Sequence, residues 1–389
     1  MKNIIRFAVI LGVISSMFPA QLIGAAAEIS PEDNSGAVVC PPDIYLQPPA
    51  DCVPLGPSQY LTSMAQLGMT LPIQALDANQ ADPELRSLPY FYYRVDPLTG
   101  TGFYGSLEAA QEKQGVQTII SPGSIIYVVY STRHDTKRGT YFQLPSGAWM
   151  PGDGSTVSLP SYQPGIELHS TPRNKFGFIL EPNLPIYNQP NYLPGSMTSS
   201  VLGLYDVVQV FSIQNIEGTN WALIGPDQWV EGRQVASVVP NTTPPEGVTN
   251  GRWIDVDLEQ QTVAVYDNQQ MVFATVMASG LEPLWTRPGL FQIYQKKELE
   301  TMSGERGTSE FYYLENVPWT MYFDKARALH GAYWRARLGY AQSHGCVNLT
   351  IGDAHWLFNW AHEGDWVYVH DRSGKTPTDP SAYGDGGGS

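Results

Sequence analysis

The residues best suited to covalent chemistry lie near the carboxyl end of the chain, in the run Ser343-His344-Gly345-Cys346-Val347-Asn348. A second histidine, His330, lies sixteen residues before Cys346 and is followed by Gly331. A cysteine with an imidazole in reach is the pair that nucleophilic catalysis needs, because the imidazole takes the thiol proton. These residue types and spacings therefore predict a cysteine nucleophile.

Geometry distinguishes the two histidines. His344 precedes Cys346 by two residues in what we predict to be a tight loop, so its ring tends to point away from the sulfur. His330 on a neighbouring strand can face the sulfur, and we predict it to be the general base. His344 is predicted to shape the loop by hydrogen bonding. An imidazolium beside the sulfur lowers a thiol pKa from ~8.5 into the range ~3.5–7.5, which predicts a thiolate at neutral pH.

Gly345 has a separate predicted role. Because it lacks a Cβ, it lets the backbone turn sharply and lets a substrate carbonyl approach closely. We predict that the amides of Gly345 and Cys346 form an oxyanion hole. Losing one such donor typically costs ~3 kcal/mol of transition-state stabilisation, so the loop should tolerate little change.

The chain has three cysteines. Cys40 and Cys52 lie in a Pro-rich stretch with little hydrophobic core of its own, and we predict a disulfide between them. That pairing leaves Cys346 free. A lone cysteine is otherwise interpreted as a small buried hydrophobic residue, but the histidines and glycines around Cys346 favour a nucleophile.

The amino terminus predicts export. Lys2 and Arg6 precede residues 7–27, a stretch of 21 residues without charge that ends in three alanines. This pattern is typical of a signal peptide over residues 1–27, cleaved near Glu28, and predicts an extracytoplasmic location in a periplasm or cell wall. An uncleaved anchor is the alternative, because the stretch is long enough to cross a bilayer. The serines, proline and glutamine within it favour cleavage, so membrane attachment is expected only through an uncleaved signal.

Composition excludes some classes of function. The 389 residues include 22 Lys+Arg and 37 Asp+Glu, a formal net charge of −15, and they carry no basic stripe that would neutralise phosphates. We therefore predict no nucleic-acid partner. With 37 Gly, 31 Pro and 12% aromatic residues, the composition predicts a mainly β fold rather than a helical one.

A repeat indicates the organisation upstream of residue 240. Residues 139–144 match residues 218–223, each copy follows an apolar strand, and each precedes a turn and a tryptophan. We predict two small β-barrels, residues 89–165 and 172–240, that are similar to bacterial SH3-like wall-associated modules. A spacer role and a glycan- or peptide-binding role stay equally open. Three further segments are a Pro-rich region over 28–88, a linker over 241–251 and a disordered tail over 372–389.

The pattern sharpens after Gly251. Residues 263–266 are predicted to pair with residues 271–277 in a β-meander. A helix is predicted over residues 353–361, with Asp353 as its N-cap, followed by a strand at Trp366–His370.

His330, Gly331 and residues 343–348 together resemble the L,D-transpeptidase catalytic domain, a family of cysteine enzymes that cross-link bacterial peptidoglycan. The resemblance covers about residues 252–371 and extends to residues 286–291, which are similar to the family's Thr-Pro-Thr-Gly-x-Phe turn, with Arg287 where a proline is usual. Asn348 stands where many members carry arginine. The resemblance implies a β-sandwich catalytic domain with one short helix and the cysteine in a cleft. It implies these roles: Cys346 as nucleophile, His330 as base, and Ser343, His344, Gly345 and Asn348 as signature positions.

The resemblance also implies an activity. Cys346 would attack the stem-peptide carbonyl between an L-centre and the terminal D-alanine, releasing D-alanine and leaving a thioester that an amine of a neighbouring stem resolves. It implies acylation by carbapenem-type β-lactams and no cofactor. Two alternatives are an L,D-carboxypeptidase that uses water as acceptor, and a catalytically silent wall-binding protein in which residues 89–240 do the binding.

Residues close to His330 are candidates for the substrate cleft. Gly331, Tyr333 and Trp334 are predicted to line it, although simple core packing is the default for the two aromatic residues. Five of the seven histidines fall in the last sixty residues, which suggests zinc. We predict no metal site, because the spacing provides no Cys-x-x-Cys or His-x-x-x-His pair and a metal would occupy the thiolate.

Overall fold

The computed structural model describes residues 59–70, 72–88, 90–152, 160 and 162–383. The predicted signal peptide and the predicted Cys40–Cys52 disulfide lie outside these residues. The chain divides into two units, Met1–Gln66 and Leu67–Ser389, and every element below except helix α1 belongs to the second. No helix in the described ranges is long and apolar enough to cross a membrane.

The described part of the chain is mainly β, as the composition predicted, and its three α-helices are α1 (Gln59–Gln66), α2 (Leu107–Glu112) and α3 (Ile351–Trp360). The strands are, in chain order, β1 (Ala78–Gln80), β2 (Phe91–Arg94), β3 (Thr101–Tyr104), β4 (Val116–Ile120), β5 (Ile125–Tyr130), β6 (Thr132–Thr136), β7 (Gly139–Gln143), β8 (Trp149–Gly152), β9 (Ile166–Leu168), β10 (Lys175–Ile179), β11 (Leu184–Tyr187), β12 (Met197–Leu202), β13 (Val207–Val210), β14 (Ser212–Ile216), β15 (Thr219–Gly225), β16 (Gln228–Glu231), β17 (Val235–Val238), β18 (Arg252–Asp257), β19 (Thr262–Asp267), β20 (Gln270–Val276), β21 (Gly289–Gln292), β22 (Gln295–Gly304), β23 (Tyr312–Asp324), β24 (Arg327–Gly331), β25 (Val347–Leu349) and β26 (Trp366–His370).

Two sheets build the region after residue 251. One has the order β1-β9-β20-β19-β18-β26-β21, and the other has the order β2-β5-β23-β24-β25 with β22 paired to β23. The predicted meander is confirmed, because β19 pairs antiparallel with both β18 and β20. Apolar side chains from β18, β19, β24, β25 and α3 share one hydrophobic core between these sheets. That core holds the strands that carry the candidate site.

The two copies of the repeat form equivalent hairpins. In the first copy β6 pairs with β7 and β7 with β8, and in the second β14 pairs with β15 and β15 with β16. Each set belongs to a five-stranded sheet, and the second copy adds a three-stranded sheet of order β13-β10-β17. A likeness of these modules to SH3 barrels stays a prediction.

The apolar strand before each repeat has a different partner in the two copies. In the first copy this strand is β5, which pairs in parallel with β23 of the carboxyl-terminal region. In the second it is β13, which pairs with β10 next to its own repeat. The short strand β9 also pairs with β20. Residues 89–168 thus contribute strands to both sheets of the region after residue 251.

Two local predictions need correction. Helix α3 begins two residues before Asp353, because Thr350 is the N-cap and its hydroxyl accepts the Asp353 N–H at 3.2 Å. The first part of the predicted disordered tail is ordered: the Asp371 carboxylate accepts the N–H groups of Ser373 and Thr376, and the Tyr383 side chain is buried. Residues 384–389 lie outside the described ranges.

Candidate active site

Strands β24 and β25 carry the two central residues of the candidate site. They pair in parallel, with Leu329 opposite Val347 and His330 opposite Asn348. Side chains alternate along a strand, so Leu329 and Val347 enter the hydrophobic core while His330 and Asn348 lie on the other face. The alternation of apolar and polar residues in these short segments thus places the imidazole and the amide side by side.

Cys346 lies directly before β25 and is a free, fully buried cysteine. Its Sγ accepts the N–H of Ala328 at 3.4 Å, and the thiol faces the carbonyl of Ala326 at 3.8 Å. Ala328 precedes His330 by two residues on β24, so the backbone N–H that contacts the thiol lies two residues along the strand from His330. Among the hydrogen bonds of the described residues, none joins this thiol to the His330 ring.

Both ring nitrogens of His330 have partners. Nδ1 lies 3.1 Å from the carbonyl oxygen of Gly331, and Nε2 lies 3.1 Å from Nδ2 of Asn348. The Asn348 side chain in turn accepts a hydrogen bond from Nε of Arg335 at 3.1 Å through Oδ1. The main chains of Asn348 and Ala278 pair with each other: the N–H of each residue donates to the carbonyl of the other at 2.9 Å. Asn348 therefore bridges the imidazole and a guanidinium.

Arg335 was missed by the sequence reasoning. Its charge, five residues after His330, is the only feature of the sequence that could have indicated a role. Charged residues in such a segment are usually expected to be exposed to solvent. Its contact with Asn348 depends on the chain returning from residue 335 to residue 348, which no local pattern reports.

Burial decides the charge state of the pair. It raises the pKa of Cys346 to about 11, although the Ala328 N–H and the positive charge of Arg327 oppose the shift. It also lowers the pKa of His330 to about 4, with the nearby Arg335 adding to the decrease and the Gly331 carbonyl opposing it. At neutral pH both groups are therefore neutral. The predicted resting thiolate is wrong for this conformation, because desolvation disfavours each charged form.

The loop before Cys346 is held by its own hydrogen bonds. Ser343 Oγ donates to the Cys346 carbonyl at 2.6 Å and accepts the Gly345 N–H at 3.1 Å. Gly345 has φ of +122°, where a Cβ would be strained, so the glycine is required for the turn. Its carbonyl accepts the Thr286 hydroxyl at 2.9 Å. In this conformation the Gly345 amide serves Ser343, and its predicted oxyanion role stays a prediction.

The remaining signature histidine packs outside the pair. The half-buried ring of His344 lies against Tyr312, with the ring centroids 5.4 Å apart. Tyr312 begins β23, which pairs with β22 to form a long hairpin. His344 thus connects the cysteine loop to that hairpin.

An ion-pair cluster lies on the other face of β24. Asp324 accepts hydrogen bonds from Arg287 Nε at 2.9 Å and Arg287 Nη2 at 2.5 Å, and from Arg327 Nη1 at 3.2 Å. Arg327 also donates to the Trp285 carbonyl and lies under the ring of Tyr383. Arg287, which stands where the family usually has proline, therefore joins a buried ion pair next to the cysteine loop.

Of the three residues predicted to line a cleft, only Trp334 is both partly exposed and close to the His330 ring. Tyr333 is 1% exposed, stacks on Tyr92 at 3.7 Å and donates to the Glu315 carbonyl, so its predicted cleft position is wrong and it belongs to the core. A Cβ at Gly331 would meet Pro318 at 3.0 Å, which places this glycine in close packing too. Trp334 is partly exposed, and its ring centroid lies 5.7 Å from that of His330.

The pair is closed in this structure. Three cavities of about 1010, 500 and 290 Å³ are lined by residues other than Cys346 and His330, and both of these side chains have no exposed surface. Within the described ranges, no three His, Cys, Asp or Glu side chains are grouped as metal ligands would be.

The segment that contains the pair has a recognisable family pattern. Residues 251–369 match the family model YkuD, the L,D-transpeptidase catalytic domain, over less than a third of the chain. No curated protein sequence matches the chain.

Several solved structures are similar over part of the chain. An L,D-transpeptidase from Stackebrandtia nassauensis is 26% identical with a TM-score of 0.28, over 35% of this chain and 60% of that one. A cysteine-to-serine mutant of the Enterococcus faecium L,D-transpeptidase is 26% identical with a TM-score of 0.30, over 34% and 55%. The L,D-transpeptidase LdtMt1, solved in complex with imipenem, is 17% identical with a TM-score of 0.30, over 52% and 98%. Similarity at these TM-scores supports no inference about function, and the chain spans little more than half the length of the first two.

Proposed function

We propose, from the L,D-transpeptidase catalytic domain matched by residues 251–369, that this protein is a peptidoglycan L,D-transpeptidase with Cys346 as nucleophile and His330 as base. One observation carries the proposal. Within the matched segment Cys346 directly precedes β25, its Sγ accepts the N–H of Ala328 on the paired strand β24, and His330 lies two residues further along β24. A structural cysteine would not need an imidazole on the strand that it contacts.

Acylation begins from neutral partners. The thiol loses its proton to Nε2 of His330 while the sulfur attacks the carbonyl between the L-centre of residue three and the terminal D-alanine. Because Nε2 accepts from Asn348 in the resting state, that amide must yield as the proton arrives. The imidazolium then protonates the nitrogen of D-alanine, the C–N bond breaks, and a thioester remains on Cys346.

Deacylation uses the same groups in the opposite order. The amine of a neighbouring stem attacks the thioester, and neutral His330 takes its proton. The tetrahedral intermediate expels the sulfur, which recovers the proton from the imidazolium. The new amide is the cross-link, and atoms and charges balance without a cofactor.

Substrate entry requires an opening beside the β22–β23 hairpin. Burial raises the pKa of Tyr312 and Tyr322 on this hairpin, and the negative charge of an ionised Cys346 adds to the increase, so both hydroxyls lie near the thiol. Moving the hairpin away would admit a stem peptide and water.

Further assignments follow from the proposed activity. We infer export through residues 1–27, an extracytoplasmic location, stem peptides as substrate and carbapenem-type β-lactams as covalent inhibitors. The modules over residues 89–240 are assigned no ligand. Their strand β5 pairs with β23, so they support the catalytic sheet whatever else they do.

Incubation of the mature protein with a tetrapeptide stem tests the proposal. We expect a cross-linked dimer and free D-alanine from the wild type, and neither from Cys346→Ala. Trimmed tripeptide without dimer would assign an L,D-carboxypeptidase instead. No consumption of stem by the wild type, combined with unchanged wall cross-linking in cells that carry Cys346→Ala, would favour a non-catalytic wall-binding protein.

A further inference from the structure

Arg335 is a partly buried arginine that contacts Asn348, the residue whose amide faces the His330 ring. Its Nε donates to Oδ1 of Asn348 at 3.1 Å, and its Nη2 donates to the Gln342 carbonyl at 2.6 Å. The Arg335 carbonyl accepts the Tyr162 hydroxyl at 2.8 Å. The side chain and the main chain of Arg335 are therefore held from separate parts of the fold.

The chemistry of these groups fixes the orientation of the Asn348 amide. A guanidinium has only donors, so the Asn348 atom that faces Arg335 must be the oxygen. The amide nitrogen then faces His330, and it has only donors as well. Nε2 of His330 must therefore be the unprotonated nitrogen. Nδ1 carries the proton and donates to the Gly331 carbonyl at 3.1 Å.

This arrangement opposes protonation of the ring. A proton on Nε2 would face the N–H of Asn348 across 3.1 Å. Rotating the amide would relieve that contact, but it would turn the NH₂ group toward the guanidinium of Arg335. The imidazolium is thus disfavoured at either orientation of the amide.

We propose that Arg335 is a positioning residue: acting through Asn348, it holds His330 as the neutral Nδ1–H tautomer, with the Nε2 lone pair kept unprotonated by the Asn348 N–H until that amide moves. This inference rests on the proposed role of His330 as base. An imidazolium formed in such a site is a strong acid, which suits the later step in which it protonates the departing D-alanine nitrogen.

Arg335 is the charged group whose electrostatic effect reaches the His330 ring, and two titratable groups lie on elements nearby. Cys346 precedes β25, Arg335 follows β24, and Tyr127 of β5 lies close enough to Arg335 for the two to interact. Burial is the main cause of the low pKa of His330, and the positive charge of Arg335 lowers it further. Removing it should therefore raise that pKa as well as release the amide.

Nitrogen-15 NMR of the histidine-labelled, full-length protein tests the inference, with His330→Gln used to assign the signals. In the wild type we expect the Nδ1–H tautomer of His330 from pH 5 to 8. Arg335→Met should give a mixture of tautomers and an increase in the His330 pKa of about one unit. Arg335→Lys, which keeps one donor for Asn348, should restore the wild-type tautomer.

Arg337→Met is the matched control. It removes a half-exposed guanidinium two residues further along the chain, which bonds to Glu181 and to the Leu180 carbonyl instead of Asn348. It should change neither the tautomer nor the pKa of His330.

Asn348→Asp provides a second arm that does not depend on the arginine variants folding. A carboxylate accepts from both neighbours, so His330 should become protonated on Nε2. A wild-type tautomer and titration in both Arg335→Met and Asn348→Asp would overturn the inference. Rates of carbapenem acylation across pH link the result to the reaction, because the acidic limb should move with the NMR pKa. NMR changes as expected in a wild-type protein that reacts with no stem peptide would reject the proposed function and not the control of the tautomer by Arg335.

Discussion

His330 and Arg327 point to opposite faces of strand β24 and belong to two polar clusters, which offset the cost of burial in different ways. In the first cluster His330 and Asn348 are joined by a hydrogen bond, Cys346 contacts the main chain of Ala328, and burial moves the pKa values of Cys346 and His330 away from the charged forms. The cluster of Asp324 with Arg287 and Arg327 holds full charges that neutralise one another. The neutral face can therefore exchange protons, whereas the charged face can only hold position.

The same contrast separates two buried aspartates. Asp324 has two guanidinium partners. Asp353 has no cationic partner among the described residues; it accepts from Thr275 Oγ1 at 2.7 Å and the Gly165 N–H at 3.1 Å, and burial raises its pKa to about 6. Burial thus raises the pKa of a carboxyl that has hydrogen-bond donors but no cation beside it, whereas Asp324 has two guanidinium groups to offset its burial.

The largest expected effect concerns the neutral face. Cys346→Ala should abolish the carbapenem adduct, a loss of roughly 10⁴-fold or more in acylation rate, because no other described group on that face is a nucleophile. Intact-protein mass after exposure to the drug measures it. His344→Ala is the matched control, since this ring packs on Tyr312 and should leave an adduct. An adduct of unchanged yield in Cys346→Ala would reject the proposed nucleophile.

The next effect concerns the charged face. Asp324→Asn leaves two guanidinium groups without their counter-charge and should lower the free energy of unfolding by about 3–5 kcal/mol. Urea unfolding measures it. Asp135→Asn, which removes the exposed partner of Arg133, should change stability little. Equal effects of the two variants would show that the Asp324 cluster is not a buried charge pair.

The next prediction concerns Asp353 and the way in which its carboxyl makes the free energy of unfolding depend on pH. Its folded pKa of about 6 lies above its ordinary value of 3.8, so its favourable contribution is present below pH 3.8 and is lost as pH rises through 6. Asp353→Asn removes the charge; its amide oxygen can accept the Gly165 N–H, and its NH₂ group can donate to the Thr275 hydroxyl oxygen. It should raise the free energy of unfolding at pH 8 by up to about 3 kcal/mol, and the gain should vanish near pH 4. A variant that is less stable than wild type at pH 8 would contradict this reading.

The smallest expected effect is the change of the carbapenem acylation rate with pH, which should be nearly absent. With a thiol pKa of about 11 and an imidazole pKa of about 4, both groups stay neutral between these values. The apparent second-order rate constant for carbapenem acylation should then vary by less than about twofold from pH 6 to 9. An inflection near pH 6.5 would mean that the reactive state exposes His330 to water.

Much of the strand pattern was predictable because it depends on local periodicity. The meander around β19 and the strand Trp366–His370 are confirmed, since alternating apolar residues report one covered face. The start of helix α3 was misplaced because both Thr350 and Asp353 can act as caps, and tertiary packing chose between them by burying the Asp353 side chain.

The sequence predicted which residues belong to the candidate site, but it did not predict their burial or protonation. Cys346 and His330 stand out by residue type and spacing, whereas Arg335 and the burial of Tyr333 depend on contacts between distant segments. The Tyr333 ring needs Tyr92 of β2 to complete its stack, and nothing near residue 333 announces that partner. Residues 89–165 were predicted to form a separate barrel, and the pairing of β5 with β23 likewise depends on a contact between distant segments.

The amino-acid sequence by itself determined which side chains are available for chemistry and where strands and turns form, because both depend on residue type and short-range order. Tertiary structure alone decided the protonation of those side chains. Desolvation acts only after distant segments of the chain have packed together and buried the thiol and the imidazole, and it shifts both pKa values toward the neutral forms.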